Sequence, residues 1–175
     1  MTWKETIARW DADLSARLRA MIEKPLLRGL AAFAARSGDW WFWLAGMILL
    51  WIFAAPIWKW RAMMLTLGMF VTGLVVLVLK YTIRRPRPAG EWGEFYRKTD
   101  PHSFPSGHAA RSLLLPVLAF GLGAPGVGVL LLLWWPLIGL GRVARGVHYM
   151  LDVVVGWLVG LGVGLGMLAY LRVFF

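Results

Sequence analysis

The chain has 175 residues, 59% of them hydrophobic and only 16% charged, yet it carries a formal net charge of +10. That composition, with a mean hydropathy of +0.65, excludes an ordinary soluble domain and indicates a single membrane domain. The absence of cysteine excludes disulfides, thiolate catalysis and Cys-ligated metals, and the scattered cations form no basic face of the kind that binds nucleic acid, leaving anionic headgroups and phosphate-bearing substrates as partners.

Residues 1–24 carry charge every few positions and lack the apolar core and small-residue cleavage site of a cleavable signal peptide. Trp3, Ile7, Trp10, Leu14, Leu18, Met21 and Ile22 recur at helical spacing, so this stretch reads as an amphipathic helix on the membrane surface, with residues 25–175 as the transmembrane domain. Apolar runs predict spans at 40–57, 62–79, 109–122, 126–140 and 153–171. A sixth, 25–35, is short and contains Arg28, and crosses only as part of a longer tilted helix. The expected fold is therefore an all-α, polytopic membrane bundle of about six transmembrane helices preceded by an amphipathic helix.

Trp40, Trp41 and Trp43 at one end of the first clear span, and Trp58 and Trp60 at the other, suit rings anchored at the two interfaces. The glycines Gly156, Gly160, Gly162, Gly164 and Gly166 predict close packing of the last helix. Seven Lys or Arg precede residue 37 and five lie in 81–104, so the positive-inside rule pulls both regions to one side. The six-span reading instead puts them on opposite sides, attributes the loop cations to anion binding, and places both termini in the cytoplasm and the polar segments outside.

Three segments hold nearly all the unusual polar residues: KYTIRRPRP (80–88), PSGH (105–108) and GRVARGVHYMLD (141–152). Charged groups gathered at the edges of apolar runs mark a site. His148 and Asp152 share a helix face at i, i+4, where a carboxylate can hold an imidazole; this suits a nucleophile or base, a structural pair or a proton relay, and Arg142 nearby favours an oxyanion. PSGH reads as a helix entry whose free N–H groups and Ser106 hydroxyl bind phosphate oxygens, or as a simple cap. Lys80, Arg84 and Arg87 fall on one helical stripe if the helix persists that far. Arg111 is a further cation within an apolar run, open to the substrate or to Asp39.

Together these segments resemble the three-part signature of the type 2 phosphatidic acid phosphatase (PAP2) superfamily, K-x6-R-P, P-S-G-H and S-R-x5-H-x3-D. The match lies in Lys80 with Arg87-Pro88, in Pro105-Ser106-Gly107-His108, and in Arg142 with His148 and Asp152. Gly141 stands where the family usually has Ser, which predicts a phosphate cradle short of one hydroxyl.

The resemblance implies a lipid phosphatase that needs no metal or other cofactor and no obligate protein partner. In it His148 attacks phosphorus, Asp152 orients His148, and His108 protonates the leaving oxygen, while Lys80, Arg87, Ser106, the Gly107 amide and Arg142 hold the phosphoryl oxygens. A phosphohistidine intermediate would then be hydrolysed. The implied setting is a bacterial inner membrane with the site on the outer face, and the implied substrates are undecaprenyl pyrophosphate, phosphatidylglycerophosphate, phosphatidic acid or lipid A phosphates. Arg84, Arg85, Arg97 and Arg145 are the cations available for a second phosphate, and residues 89–102 form the loop expected to select and admit substrate. A lipid phosphoryl or headgroup transferase, or a non-enzymatic lipid carrier, are the alternatives; the related vanadate haloperoxidases are soluble.

Overall fold

The computed structural model describes residues 2–22, 24–89 and 99–174. Among these, every regular element is helical: α1 (Trp3–Ala20), α2 (Pro25–Ser37), α3 (Trp40–Phe53), α4 (Pro56–Ile83), α5 (Gly107–Gly121), α6 (Pro125–Ala144) and α7 (Met150–Phe174). Sequence punctuation sets the boundaries. Pro25, Pro56 and Pro125 occupy first-turn positions, where the missing N–H costs nothing. Pro86 and Pro88 stop α4, whose cap Arg84 adopts a left-handed conformation (φ 53°). The helix therefore ends before Arg87, and the proposed stripe of Lys80, Arg84 and Arg87 is not formed; Arg87 reaches the site from an extended segment.

α4, α6 and α7 are long and apolar enough to cross a membrane, and α3 is a shorter apolar helix. Side chains such as Phe53, Phe70, Val78, Leu130, Leu133 and Leu158 are 60% or more exposed on the flanks, an apolar surface that a bilayer solvates and water does not. The chain is an integral membrane protein. Inside, Leu114, Leu115 and Leu118 of α5 pack with Met47 of α3 and with Leu65 and Met69 of α4, so α5 is the buried centre of the bundle.

α5 packs most extensively against α7 and α6. Of the glycine ladder on α7, Gly156, Gly160 and Gly164 abut α5: an added Cβ at Gly156 would lie 2.5 Å from the Ser106 carbonyl, and one at Gly160 would strike the Ala110 backbone. Gly162 and Gly166 face open space. Only the i, i+4 subset of the ladder is a packing seam.

The end of α4, the start of α5, the end of α6 and the start of α7 meet at one end of the bundle. At the other, Arg61 near the start of α4 donates to the carbonyls of Leu122 and Gly123 past the end of α5. α3 starts at the first end, with Asp39 against His108, and runs toward the second.

α1 also belongs to the first end. Asp11 and Ser15 are fully buried there, accepting hydrogen bonds from the backbone N–H groups of Leu151 (2.9 Å) and Met150 (2.9 Å). These are orphan donors at the start of α7, capped here by side chains from a distant helix. The expectation that the basic N-terminal stretch lies across the membrane from the polar segments is thus corrected: both are at one end, and the conflict with the positive-inside rule disappears. α1 presents Trp3, Ile7 and Trp10 outward, consistent with its amphipathic pattern.

Candidate active site

Each of the three segments is delivered by a local device. Ser106 is the N-cap of α5, its Oγ accepting from the Ala109 N–H (3.4 Å), and its own N–H donates to the Asp152 carbonyl (2.8 Å). This ties PSGH to α7. Lys80 lies in the last turn of α4 and Arg142 in the last turn of α6. A turn with Gly146 at φ 65° then brings His148 back over the bundle just before α7. Glycine adopts that angle without strain.

A cavity of about 520 Å³ opens at this end, lined by Lys80, Gly107, His108, Arg111, Arg142 and His148, with Asp39, Asp100 and Trp40. Thus five of the eight residues singled out from sequence, Lys80, Gly107, His108, Arg142 and His148, line one space. Arg87, Ser106 and Asp152 stand directly behind it, all buried. Ser106 acts as a cap in this structure.

His148 is 2% exposed. Its Nε2 lies 3.3 Å from Arg87 Nη1, and its Nδ1 lies 3.6 Å from Asp152 Oδ2, close enough for charge attraction but too far for a hydrogen bond. Burial, reinforced by Arg142 and Arg87 and opposed by the Asp152 carboxylate, pushes the imidazole down to about 3. It is a neutral base whose Nε2 lone pair faces the Arg87 guanidinium, the protonation state a nucleophile needs.

Asp152 is held from two directions. Its Oδ2 accepts the Tyr149 N–H (2.8 Å) and its Oδ1 accepts Arg85 Nη1 (2.8 Å). The same guanidinium donates through Nη2 to Asp11 Oδ2 (2.7 Å) and stacks over the Tyr149 ring at 4.2 Å. Arg85 is therefore committed to positioning Asp152 and is not a spare cation for a second phosphate. Arg84 donates to the Tyr81 carbonyl from an exposed position, Arg145 does not line the cavity, and Arg97 lies outside the described residues. So does most of the 89–102 loop, residues 90–98.

On the opposite wall, His108 Nε2 donates to Asp39 Oδ1 (2.7 Å). Asp39 is the residue before α3 but makes no capping bond with its side chain, because that carboxylate is used on His108. Of the two partners left open for Arg111, Asp39 is shared: its Oδ1 holds His108 while its charge also acts on Arg111. Lys80 Nζ and Arg87 Nη2 (2.8 Å) both bond Asp100 Oδ2, so the carboxylate bridges two of the cations implied to hold a phosphoryl group.

Gly141 has a packing explanation. A Cβ there would lie 2.8 Å from the Ala31 carbonyl oxygen and 3.1 Å from the Ala35 nitrogen of α2. The position faces the α2 backbone rather than the cavity, so the absent hydroxyl reflects the close approach of α2 to α6.

Below the polar cavity runs an apolar groove between α3 and α4. A space of about 360 Å³ shares Trp40, Gly73, Leu77 and Arg111 with the cavity. It continues through Leu44, Thr66 and Phe70 into another of about 460 Å³ that reaches Trp51 and Met63. A polar head pocket leading into a long apolar channel fits an amphiphile.

Sequence reasoning missed Asp11, Asp100 and the pairing of Asp39 with His108. The only signals were an acid beside the apolar stripe of α1 and an Asp preceding α3.

Residues 61–174 match the family model of the PAP2 superfamily. The chain is 31% identical over 141 residues to an undecaprenyl-diphosphatase of Sulfolobus acidocaldarius, an alignment spanning 77% of this chain and 66% of that protein. Its fold is similar to the crystal structure of Aquifex aeolicus LpxE, with 28% identity, a TM-score of 0.73, and coverage of 91% of this chain and 94% of that one. It is also similar in fold to the first transmembrane PAP2-type phosphatidylglycerolphosphate phosphatase from Bacillus subtilis, with 22% identity, a TM-score of 0.79, and coverage of 97% and 88%. With the family model matched over more than half its length, and the three signature segments meeting at one cavity, the chain belongs to the PAP2 superfamily.

Proposed function

We propose that this protein is a lipid phosphatase of the cytoplasmic membrane that hydrolyses a phosphomonoester or diphosphate without a metal, through a phosphohistidine. The observation that carries this reading is the single cavity in which His148, His108, Lys80 and Arg142 face one another above an apolar groove. The head of a lipid phosphate fits the first and its chain the second. Undecaprenyl diphosphate, the substrate in the relative's name, is one candidate; phosphatidylglycerophosphate and lipid A phosphates are others.

In this mechanism neutral His148 attacks phosphorus through Nε2, the nitrogen turned toward Arg87. Lys80, Arg87, Arg142 and the Gly107 amide at the start of α5 neutralise the charge that grows on the phosphoryl oxygens, the main task in phosphoryl transfer. Asp152 stabilises the cationic imidazole as the N–P bond forms. His108 in its protonated form, its Nε2–H held by Asp39, gives its other ring proton to the departing oxygen; water then attacks phosphorus, His108 takes a proton back, and His148 is released. The incoming phosphate replaces the Asp100 carboxylate between Lys80 and Arg87. Among the described residues no three His, Asp or Glu side chains cluster as metal ligands, and the cations fill the electrostatic role a metal plays elsewhere.

The test is release of inorganic phosphate by detergent-purified protein in EDTA, from undecaprenyl diphosphate, phosphatidylglycerophosphate and phosphatidic acid, beside His148→Ala. Release that survives EDTA and disappears in the variant is expected. Release that requires an added divalent cation, or that persists in the variant, overturns the mechanism.

A further inference from the structure

Arg111 is a cation without an assigned task. It sits one turn beyond His108 on α5, toward the middle of the bundle, and its Nε is buried without a hydrogen-bond partner. Its Nη1 lies 3.5 Å from the point where a Cβ on Gly107 would be, so the guanidinium folds over the first turn of α5. It lines both the polar cavity and the apolar groove beneath it. A half-buried guanidinium that keeps an open Nε–H even with the Asp39 charge acting on it has donor capacity left for a further anion.

Its place on the substrate path decides what that anion is. With the reacting phosphoryl group beside His148, Lys80 and Arg142, and the lipid chain in the groove between α3 and α4, the atoms at Arg111 are those joining the two. In a monoester they are a neutral carbon chain or glycerol unit. In a diphosphate they are the second phosphate.

We propose that Arg111 is a specificity-determining residue that binds the inner, chain-linked phosphate, making the substrate class a lipid diphosphate. This rests on the lipid phosphatase reading above. In the reaction the His148 Nε2–P bond forms at the terminal phosphorus and the bond from that phosphorus to the bridging oxygen breaks. The bridging oxygen leaves with the lipid monophosphate and takes a proton from His108. Water then cleaves the N–P bond, giving inorganic phosphate and free His148. Negative charge builds on the inner phosphate as the bridge breaks, so a guanidinium there lowers the barrier for a diphosphate and has no equivalent target in a monoester.

The test compares farnesyl diphosphate with farnesyl monophosphate, two probes with one chain, on full-length wild type, Arg111→Gln and Arg111→Lys, each checked for folding by size exclusion and thermal unfolding. Wild type is expected to favour the diphosphate. In Arg111→Gln the ratio of kcat/KM for diphosphate over monophosphate should fall about 10- to 100-fold, the scale of one lost charge-assisted contact, with Arg111→Lys between the two. An equal loss on both probes, or a wild-type preference for the monophosphate, overturns the assignment and leaves the phosphatase reading standing. Phosphate release from neither probe by well-folded wild type counts against both. Should Arg111→Gln fail to fold, an unchanged ratio in folded Arg111→Lys overturns it.

Discussion

The cavity holds two His–Asp pairs of opposite construction. His148 and Asp152 are four residues apart, brought together by the turn into α7, and Asp152 is braced by Arg85, by the Tyr149 amide and, through Arg85, by Asp11 of α1. His108 and Asp39 are 69 residues apart and meet at 2.7 Å across two helices, and among the described residues no hydrogen bond like those to Asp152 holds the Asp39 carboxylate besides that of His108. The difference matches their tasks. A nucleophile becomes cationic when it bonds phosphorus and needs a fixed negative neighbour throughout. A proton donor must also let go of its proton, and a single partner from another helix suits that.

The comparison breaks first at the nucleophile. His148→Ala should lose activity by on the order of 10⁴-fold or more, and Asp152→Asn by ~100-fold or more, read as phosphate release per folded protein. If Asp152→Asn were harmless, the bracing around it would serve stability alone. Asp39→Asn should cost ~10- to 100-fold in kcat with a smaller change in KM, within the range of general acid catalysis. A pure KM effect would instead make Asp39 a substrate-binding group.

A smaller effect concerns pH. The folded protein keeps His148 neutral down to about 3, whereas an unfolded imidazole takes a proton near its ordinary ~6.5. Acidification through that window therefore favours the unfolded chain, and stability is greatest above it. Thermal unfolding between pH 5 and 7.5 should show a steeper pH dependence in wild type than in His148→Ala; identical slopes would contradict the burial. The smallest effect lies outside both pairs. Gly141→Ser, which restores the hydroxyl usual in the family, should destabilise the fold by ~1–3 kcal/mol through overpacking against α2, with no gain in kcat/KM. A gain would place residue 141 in the phosphate cradle after all.

The asymmetry between the pairs also explains what could be read in the chain. Apolar runs and prolines located the helices, and Lys80, Gly107, His108, Arg142 and His148 were found because their partners are close in sequence or their spacing is a family signature. Arg85 looked like one more member of a basic run, since nothing local shows that Asp11 and Asp152 share it. Asp39 stood out only as a possible partner of Arg111, since nothing local shows that His108 lies against it. The helical stripe of cations failed at Arg84, where two following prolines ended α4. Gly141 suggested a weakened site only because the α2 backbone that presses on it is 106 residues earlier. Contacts that join distant parts of a chain leave no period to detect.

The docking of α1 has a consequence for membrane sidedness. Because Asp11 and Ser15 hold the start of α7, the N-terminus and the cavity share a leaflet, so any probe near residue 2 reports where phosphate is released. Lys59, Arg61 and Arg172 lie at the far end of the bundle, against the many cations of α1 and the site. For that balance the positive-inside rule and the outer face implied by the family resemblance make opposite predictions for the cavity. The chain has no cysteine, so Thr2→Cys introduces a single thiol. Resistance to a membrane-impermeant maleimide in intact cells, with reaction after permeabilisation, is expected of a cytoplasmic cavity; labelling of intact cells is expected of an outer one.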